Sequence, residues 1–327
     1  MKRHNNLYNR IADKENILAA HIKARKGKSF YKDVKWVNDN IDYCVDEIHH
    51  QLVNKTYRCA DYDIFTKKCG VKMREIYKLP YFPDRIVHHA VMNIVEPLWT
   101  NTLIRDTYSS IKNRGIHDGA SRIRQSLKNK EQTRYCLKMD ITKFYPSIDN
   151  DVLKQILRSK IKDKDLLWLL DEIIDKEKGL PIGNLLSQIF GNLYLSGFDH
   201  YCKEQLKAKY YFRYCDDVVI LSHDKKFLHH VLRKSRNYLG KRLRLSIKSN
   251  YQIFPVDSRG IDFLGYRFFH GYTLLRKQIK KNMLKAIASG NEKAFPSYYG
   301  WMKHANCYNL QKKYFYESTV SRDAAAS

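Results

Sequence analysis

Three acidic residues stand at the ends of hydrophobic runs. Asp140 closes the run Tyr135-Cys136-Leu137-Lys138-Met139, and Asp216-Asp217 separates Tyr214-Cys215 from Val218-Val219-Ile220-Leu221. Short apolar runs of this composition read as buried strands. The pattern therefore predicts one strand that delivers a carboxylate and a hairpin whose two-Asp turn delivers two more. Aspartate is common in turns, so the pair alone is weak. Placed beside core strands, however, ionised carboxylates are costly unless something positive meets them. A fold that accepts this sequence must bring a cation to those strand ends.

The chain around them predicts mostly helix. Asn6 to His21 carries apolar residues at loose helical spacing, and a basic loop follows with Lys23, Arg25, Lys26, Gly27 and Lys28. Val34 to Leu52 reads as one helix. Tyr57 to Leu79 alternates and is broken at Lys67-Lys68-Cys69-Gly70, which predicts a hairpin with a basic tip. Ile86, Val87, Ala90, Val91, Ile94, Val95 and Leu98 define a helix that starts after Pro83-Asp84 and ends at Pro97. Further helices are expected from Asn150, over Asp165–Lys176, over Leu185–Leu206, and over Lys226–Leu239 with Gly240 as its end. Short strands are expected around Leu245 and over Phe263–Phe268. Strand, helices, hairpin, helix, strand is an α+β order that suits a split-βαβ core.

The formal charge is +26 on 327 residues. A field of that size favours polyanions. The sequence has no apolar run of 18 residues, and Met1-Lys2-Arg3-His4-Asn5-Asn6 lacks the apolar stretch of a signal peptide, so nucleic acid is preferred over a membrane. The expected location is the cytoplasm. Seven scattered cysteines without a C-x-x-C pair argue against a disulfide framework or a zinc ribbon. Histidine pairs at 49-50, 88-89 and 229-230 are poor chelates, since adjacent side chains on a helix diverge; they read as solvated or as facing nucleic acid. For the acids, the chemistry that fits is a pair of Mg²⁺ ions, each taking one or two carboxylates and filling its shell with phosphate and water.

At this point the residues resemble a family. Tyr214-Cys215-Asp216-Asp217 resembles the Y-x-D-D box of reverse transcriptases, and Asp140-Ile141-Thr142-Lys143-Phe144-Tyr145 resembles their first catalytic box. Leu180-Pro181-Ile182-Gly183-Asn184-Leu185-Leu186-Ser187-Gln188 resembles the box between them. Phe263-Leu264-Gly265-Tyr266 resembles the primer grip. Arg74-Glu75-Ile76 with Asp84-Arg85-Ile86-Val87-His88-His89-Ala90 resembles the fingers segment of bacterial members related to group II intron enzymes.

The resemblance implies a right-hand polymerase. It has an N-terminal helical extension (1–56), fingers (57–134), a split-βαβ palm (135–270, with helices over 150–180) and a helical thumb with tail (271–327). It implies an RNA-directed DNA polymerase with Asp140, Asp216 and Asp217 catalytic. Two Mg²⁺, replaceable by Mn²⁺, would lie on those residues and on the carbonyl of Ile141. Nucleotide contacts would come from Lys72, Arg74, Tyr145 as steric gate, Ile182, Gly183, Gln188 and Lys248. Partners would be dNTPs, template RNA and the RNA–cDNA duplex, tracked by a basic, aromatic-rich thumb.

Most family members carry Gln where this chain has Ile182. Ile-Gly-x-x-x-Ser-Gln, with Arg259–Tyr266 and Leu274-Leu275-Arg276-Lys277, resembles reverse transcriptases of diversity-generating retroelements. These copy a template-repeat RNA with errors opposite adenine, beside a basic helical accessory protein assembled as an oligomer, in a bacterial or phage-infected cell. A site offering only apolar contact selects weakly, which supplies a physical reason for low fidelity at Ile182. The alternatives are a stand-alone group II intron-like, CRISPR-associated or antiphage enzyme, and an inactive RNA-binding scaffold.

Overall fold

The structure is a computed structural model that describes residues 3–69 and 72–316. Gly70, Val71 and the side chain of Lys72, one of the expected phosphate contacts, lie outside the described residues. The chain forms two compact units, each assembled from separated stretches of sequence.

The first unit comprises Met1–Ile104, Thr142–His200 and Asn237–Ser246. It opens with helices Tyr8–Ala12 and Lys14–Ala24, split at Asp13, whose carboxylate caps the second by accepting from the amides of Glu15 and Asn16. The single helix expected over Val34–Leu52 is two, Lys32–Asp39 and Ile41–Val53, because Asn40 leaves the helical region at φ −124° and ψ 37°. A hairpin follows, β1 (Asp63–Cys69) and β2 (Lys72–Lys78), in the register Lys67 opposite Arg74. The strands run through Lys67 and Lys68, which the sequence placed in the tip.

The helix Ile86–Thr100 does not stop at Pro97 as expected. Proline removes one backbone donor, but Trp99, only 1% exposed, anchors the final turn in the core. Helices Asn150–Lys160, Lys164–Ile174 and Leu185–His200 complete the unit, close to their expected bounds. Ile11, Ile17, Val37, Leu52, Val95, Leu169 and Phe190 are all buried.

His88, on the buried side of Ile86–Thr100, has its Nε2 unpartnered. Burial pushes its imidazole down to about 3 and that of His89 down to about 4. Unfolded histidine takes up a proton near pH 6.5. Between that pH and the folded values the unfolded chain binds more protons, so stability falls as pH falls. Urea unfolding followed from pH 7.5 to 4.5 should show this loss, and His88→Leu should flatten the slope. Parallel slopes for both chains would exclude His88 as a cause.

The second unit comprises Arg105–Ile141, Tyr201–Arg236 and Ile247–Ser327. Its centre is an antiparallel sheet in the order β4-β5-β3-β6, with β3 Tyr135–Asp140, β4 Tyr210–Tyr214, β5 Asp217–Ser222 and β6 Gln252–Pro255. The smaller sheet β7-β8-β9 joins Ile261–Phe263, Tyr266–Phe268 and Thr273–Leu275. Helix Ile116–Leu127 and the C-terminal helices share a core built on Tyr108, Ile123, Phe212, Val219, Phe263 and Met302.

Two expectations fail here. No strand forms at Leu245, where only Ile247 makes an isolated bridge to Ile141; the fourth strand is β6. Helix Lys225–Leu243 passes through Gly240. A glycine inside a helix costs about 1 kcal/mol, which burial of Leu239 and Leu243 on its two sides outweighs.

Candidate active site

Strand pairing alone gathers the acids. Asp140 at the end of β3 lies directly opposite Asp217 at the start of β5. Tyr214 of β4 also pairs with Asp217, so the hairpin loop is Cys215-Asp216 and Asp217 belongs to the strand, not to the turn as expected. Cys215 adopts φ 56°, the sign a primed hairpin turn demands at its first central residue. The carbonyl of Asp216 accepts from the amide of Ile141 at 3.3 Å, which ties the loop to the end of β3. Opposed residues in such a ladder have Cα atoms about 4.5–5.5 Å apart.

Because strand side chains alternate, Cys136, Lys138 and Asp140 share one face with their partners Leu221, Val219 and Asp217. The two acids that meet across the strands thus share a face with a lysine. Lys138 Nζ lies 3.3 Å from Asp217 Oδ2 and donates to the carbonyl of Asp262. Lys248 pairs with Asp140, and its amide donates to the Asp140 carbonyl at 2.9 Å. The resemblance implied Lys248 as a nucleotide contact; here it rests on a carboxylate.

Burial raises the Asp216 carboxyl above its ordinary range, and the charge of Asp140 adds to this. Asp217 is pushed up to about 6 by burial, against the opposing pull of Lys138. Asp217 Oδ1 is buried with no hydrogen-bond partner. Among the described residues no set of three or more His, Cys, Asp or Glu side chains is gathered into a ready ligand cage; Asp140 and Asp217 are each turned to a lysine. An orphaned carboxylate oxygen beside two further acids is nevertheless a site short of positive charge, and hard divalent ions take such oxygens. The donor set fits Mg²⁺.

Sequence reasoning missed two residues. Lys138 was legible from its i, i+2 spacing to Asp140, which fixes a common face. Arg213 is fully buried in β4, and its Nη1 donates to the carbonyl of Cys215 at 2.9 Å, inside the hairpin loop. Its signal was a charged residue in the run Tyr210–Tyr214.

Lys138→Met should leave the Asp217 carboxylate uncompensated and lower stability by roughly 1–3 kcal/mol at pH 8. At pH 5 Asp217 is protonated, so the difference should shrink. Equal losses at both pH values would show that Lys138 acts only through packing.

The residues expected to form the primer grip lie on β7 and β8, joined by Leu264-Gly265 at φ 52° and 84°. Phe263 and Tyr266 are fully buried and Leu264 nearly so, so three of the four serve the core of this unit.

The remaining candidates belong to the first unit. Tyr145 is half-buried in the short helix Phe144–Ser147, its ring 5.3 Å from that of Phe144, and its carbonyl accepts from Leu180 at 2.9 Å. Gly191 makes room behind it, since a Cβ there would come within 3.2 Å of Phe144 and 3.4 Å of Tyr145. The Ile182 carbonyl accepts from Tyr77 of β2 at 2.9 Å. Gly183 follows at φ 122°, where a Cβ would meet the Tyr77 carbonyl at 2.9 Å. Arg74 is exposed on β2, and Gln188 is exposed on Leu185–His200.

The family described as reverse transcriptase (RNA-dependent DNA polymerase) matches residues 66–268, more than half of the chain. The chain belongs to that family. The reverse transcriptase is 21% identical to Protein YkfC of Escherichia coli over 271 residues, covering 69% of each chain. It is 25% identical to the group II intron-encoded protein LtrA of Lactococcus lactis over 155 residues, 44% of this chain and 25% of that one. A putative COX1/OXI3 intron 2 protein of Saccharomyces cerevisiae is 21% identical and covered over 29% of its length. The chain thus spans about a quarter of the length of the two intron proteins. Among solved structures, apo telomerase from Candida tropicalis superposes with a TM-score of 0.50 at 13% identity, over 65% of this chain and 48% of that one. The likeness is one of fold, that of the right-hand reverse transcriptases.

No described helix is long and apolar enough to cross a membrane. Among the described residues no disulfide joins Cys44, Cys59, Cys136, Cys202, Cys215 or Cys307.

Proposed function

We propose that this reverse transcriptase copies a template-repeat RNA into adenine-mutagenised cDNA, as diversity-generating retroelement enzymes do. The observation that carries the polymerase chemistry is the β3–β5 register, which sets Asp140 against Asp217 with Asp216 in the adjoining loop. Asp140, Asp216, Asp217 and the carbonyl of Ile141 would hold two Mg²⁺. When bound, the ions supply charge compensation to the attacking primer oxygen and the leaving pyrophosphate.

The chain's own residues do the rest. Lys138 and Lys248 each pair with one of the acids, Asp217 and Asp140. Arg74, and Lys72 beside the tip, offer cations to the triphosphate, Arg74 with a bidentate fork. Tyr145, steadied by Phe144, rejects a ribose 2′-hydroxyl by volume. In this reading the stretch 57–134 forms the fingers, 135–270 the palm and 271–327 the thumb.

The retroelement assignment rests on Ile182. Its carbonyl accepts from the Tyr77 amide of β2 at 2.9 Å, which supports a fixed backbone there; in this reading its side chain offers an alkyl group where an amide would otherwise fix sugar and base. With no hydrogen bond to satisfy, mispaired geometries lose little. Ile182→Gln should lower misincorporation opposite adenine several-fold on a defined RNA with Mg²⁺. Sequencing cDNA from both proteins tests this, and an unchanged error spectrum would remove Ile182 from the explanation. The basic helical accessory protein is part of the same proposal; adding it should change yield or errors.

A second reading has its own support. Two of the matched relatives bear intron-protein names, which favours a group II intron-like enzyme without mutagenic function. A template and variable repeat pair next to the gene would favour the first reading, and a faithful product spectrum the second.

A further inference from the structure

The helix Lys225–Leu243, which follows the acidic hairpin, contains no Asp or Glu in nineteen residues. Every other helix of eleven or more residues carries at least one acid, except Lys277–Ala288, whose lysines the thumb reading already uses. Within the second unit, its stretch 225–236 buries Leu228, Val231, Leu232 and Ser235 and exposes Lys225, Lys226, His229, His230, Arg233 and Lys234. Among the described residues none of those four Lys and Arg side chains has a carboxylate partner. The nearest acid in sequence, Asp224, is engaged by the Lys226 amide at 2.7 Å as the helix cap. Arg236, also exposed, lies over the Tyr251 ring at 4.6 Å.

Two features separate this from an ordinary solvated face. Surface helices normally interleave opposite charges at i, i+4, which supports the helix and quiets its field. Here no acid stands at those spacings, and Arg233 Nη2 instead meets the His230 ring at Nδ1, 3.2 Å away, so the positive field of the face is left for a polyanion to meet. The spacing is also suited to one. Lys225, His229 and Arg233 form one row and Lys226, His230 and Lys234 a second, with steps of about 6 Å along the axis, comparable with successive phosphates of one strand. An Arg stacked on a Tyr at the end of the rows adds a flat surface of the kind that takes a base.

We propose that this face is an RNA-docking surface, separate in its residues from the acidic site. It would hold a phosphate-rich stretch of the template RNA outside the segment being copied. An RNA strand is favoured over an acidic protein because the cations are evenly stepped, and no exposed apolar anchor accompanies them. The inference needs the family's RNA substrate but none of the polymerase chemistry assigned above.

The test uses the full chain with Lys225→Gln, Lys226→Gln, Arg233→Gln and Lys234→Gln combined. Binding is measured to an RNA of a few hundred nucleotides and to a short primer–template duplex across a salt series. Affinity for the long RNA should fall tenfold or more. The slope of log K against log salt should drop by about 3, since each lost phosphate contact removes about 0.7–0.9. Affinity for the short duplex and its extension rate should stay within twofold. The Lys→Arg versions of 225, 226 and 234 should bind as the parent does.

An unchanged slope on the long RNA overturns the proposal. So does an equal loss on the short duplex, which would merge this face with the copying site. Retained RNA binding with lost binding to polyglutamate, or to vesicles containing phosphatidylserine, would assign the face to an acidic protein or a membrane instead. A parent chain that binds RNA here yet extends no primer would sink the polymerase reading and leave this one standing.

Discussion

Asp216→Asn combined with Asp217→Asn should reduce primer extension on RNA by roughly 10³-fold or more, the scale of losing preorganised charge compensation for a phosphoryl transition state. The same change should leave the protein at least as stable as the parent. Both carboxyls sit above their ordinary range because burial disfavours the ionised form, with Asp140 adding repulsion at Asp216. A folded value raised above the unfolded one means that the folded chain holds the proton more tightly. The resulting penalty is absent below about pH 4 and grows as pH rises toward and through 6. Asn removes that penalty, so a melting curve at pH 8 should shift up or stay level, and one at pH 4 should not move. Mg²⁺ should raise the melting temperature of the parent and not of the variant. Activity within tenfold of the parent would end the assignment of these acids. A variant that unfolds would be replaced by Asp140→Asn, whose carboxylate is more exposed.

Gly265→Ala should destabilise the second unit by about 2–4 kcal/mol, through strain at a positive φ and overpacking together. The loop Leu264-Gly265 reverses β7 into β8 with both residues left-handed, as a two-residue hairpin requires. At φ 84° a Cβ on Gly265 would come within 2.5 Å and 2.6 Å of two Trp301 ring atoms and 2.8 Å of Ile279 Cδ1. The Trp301 ring is the neighbour that is held in place. Trp301 packs on Tyr266 at 5.2 Å between centroids, and its carbonyl accepts from the Tyr266 hydroxyl. Differential scanning fluorimetry should show a drop of several degrees, partly restored by adding Trp301→Leu. A loss confined to the conformational share, unaffected by Trp301→Leu, would show that the ring moves aside. Under the proposed reading, in which this hairpin is the primer grip, primer binding should weaken in step.

The sequence by itself determined the elements that touch the chemistry. Tyr135–Asp140 and the hairpin after Tyr210 were legible because short apolar runs of this length read as buried strands, and an acid at their ends marks a site. The family boxes were legible for the same reason, as short stretches whose roles depend on local order. Helix ends were less so. Pro97 failing to stop a helix and Gly240 failing to end one depend on which neighbouring side chains are buried, against a local cost of about 3 kcal/mol for proline and about 1 kcal/mol for glycine.

Only the tertiary structure decided the register. A shift of one residue would turn Asp140 away from Asp217 and send Lys138 to the opposite face. Nothing in a linear pattern states which residues of β3 and β5 are opposite. The pairing of Lys138 with Asp217 and Lys248 with Asp140, and the reach of Arg213 into the Cys215 carbonyl, follow from that register. The charges were written in the sequence, but the distances that give them meaning arise from backbone hydrogen bonds between segments about eighty residues apart.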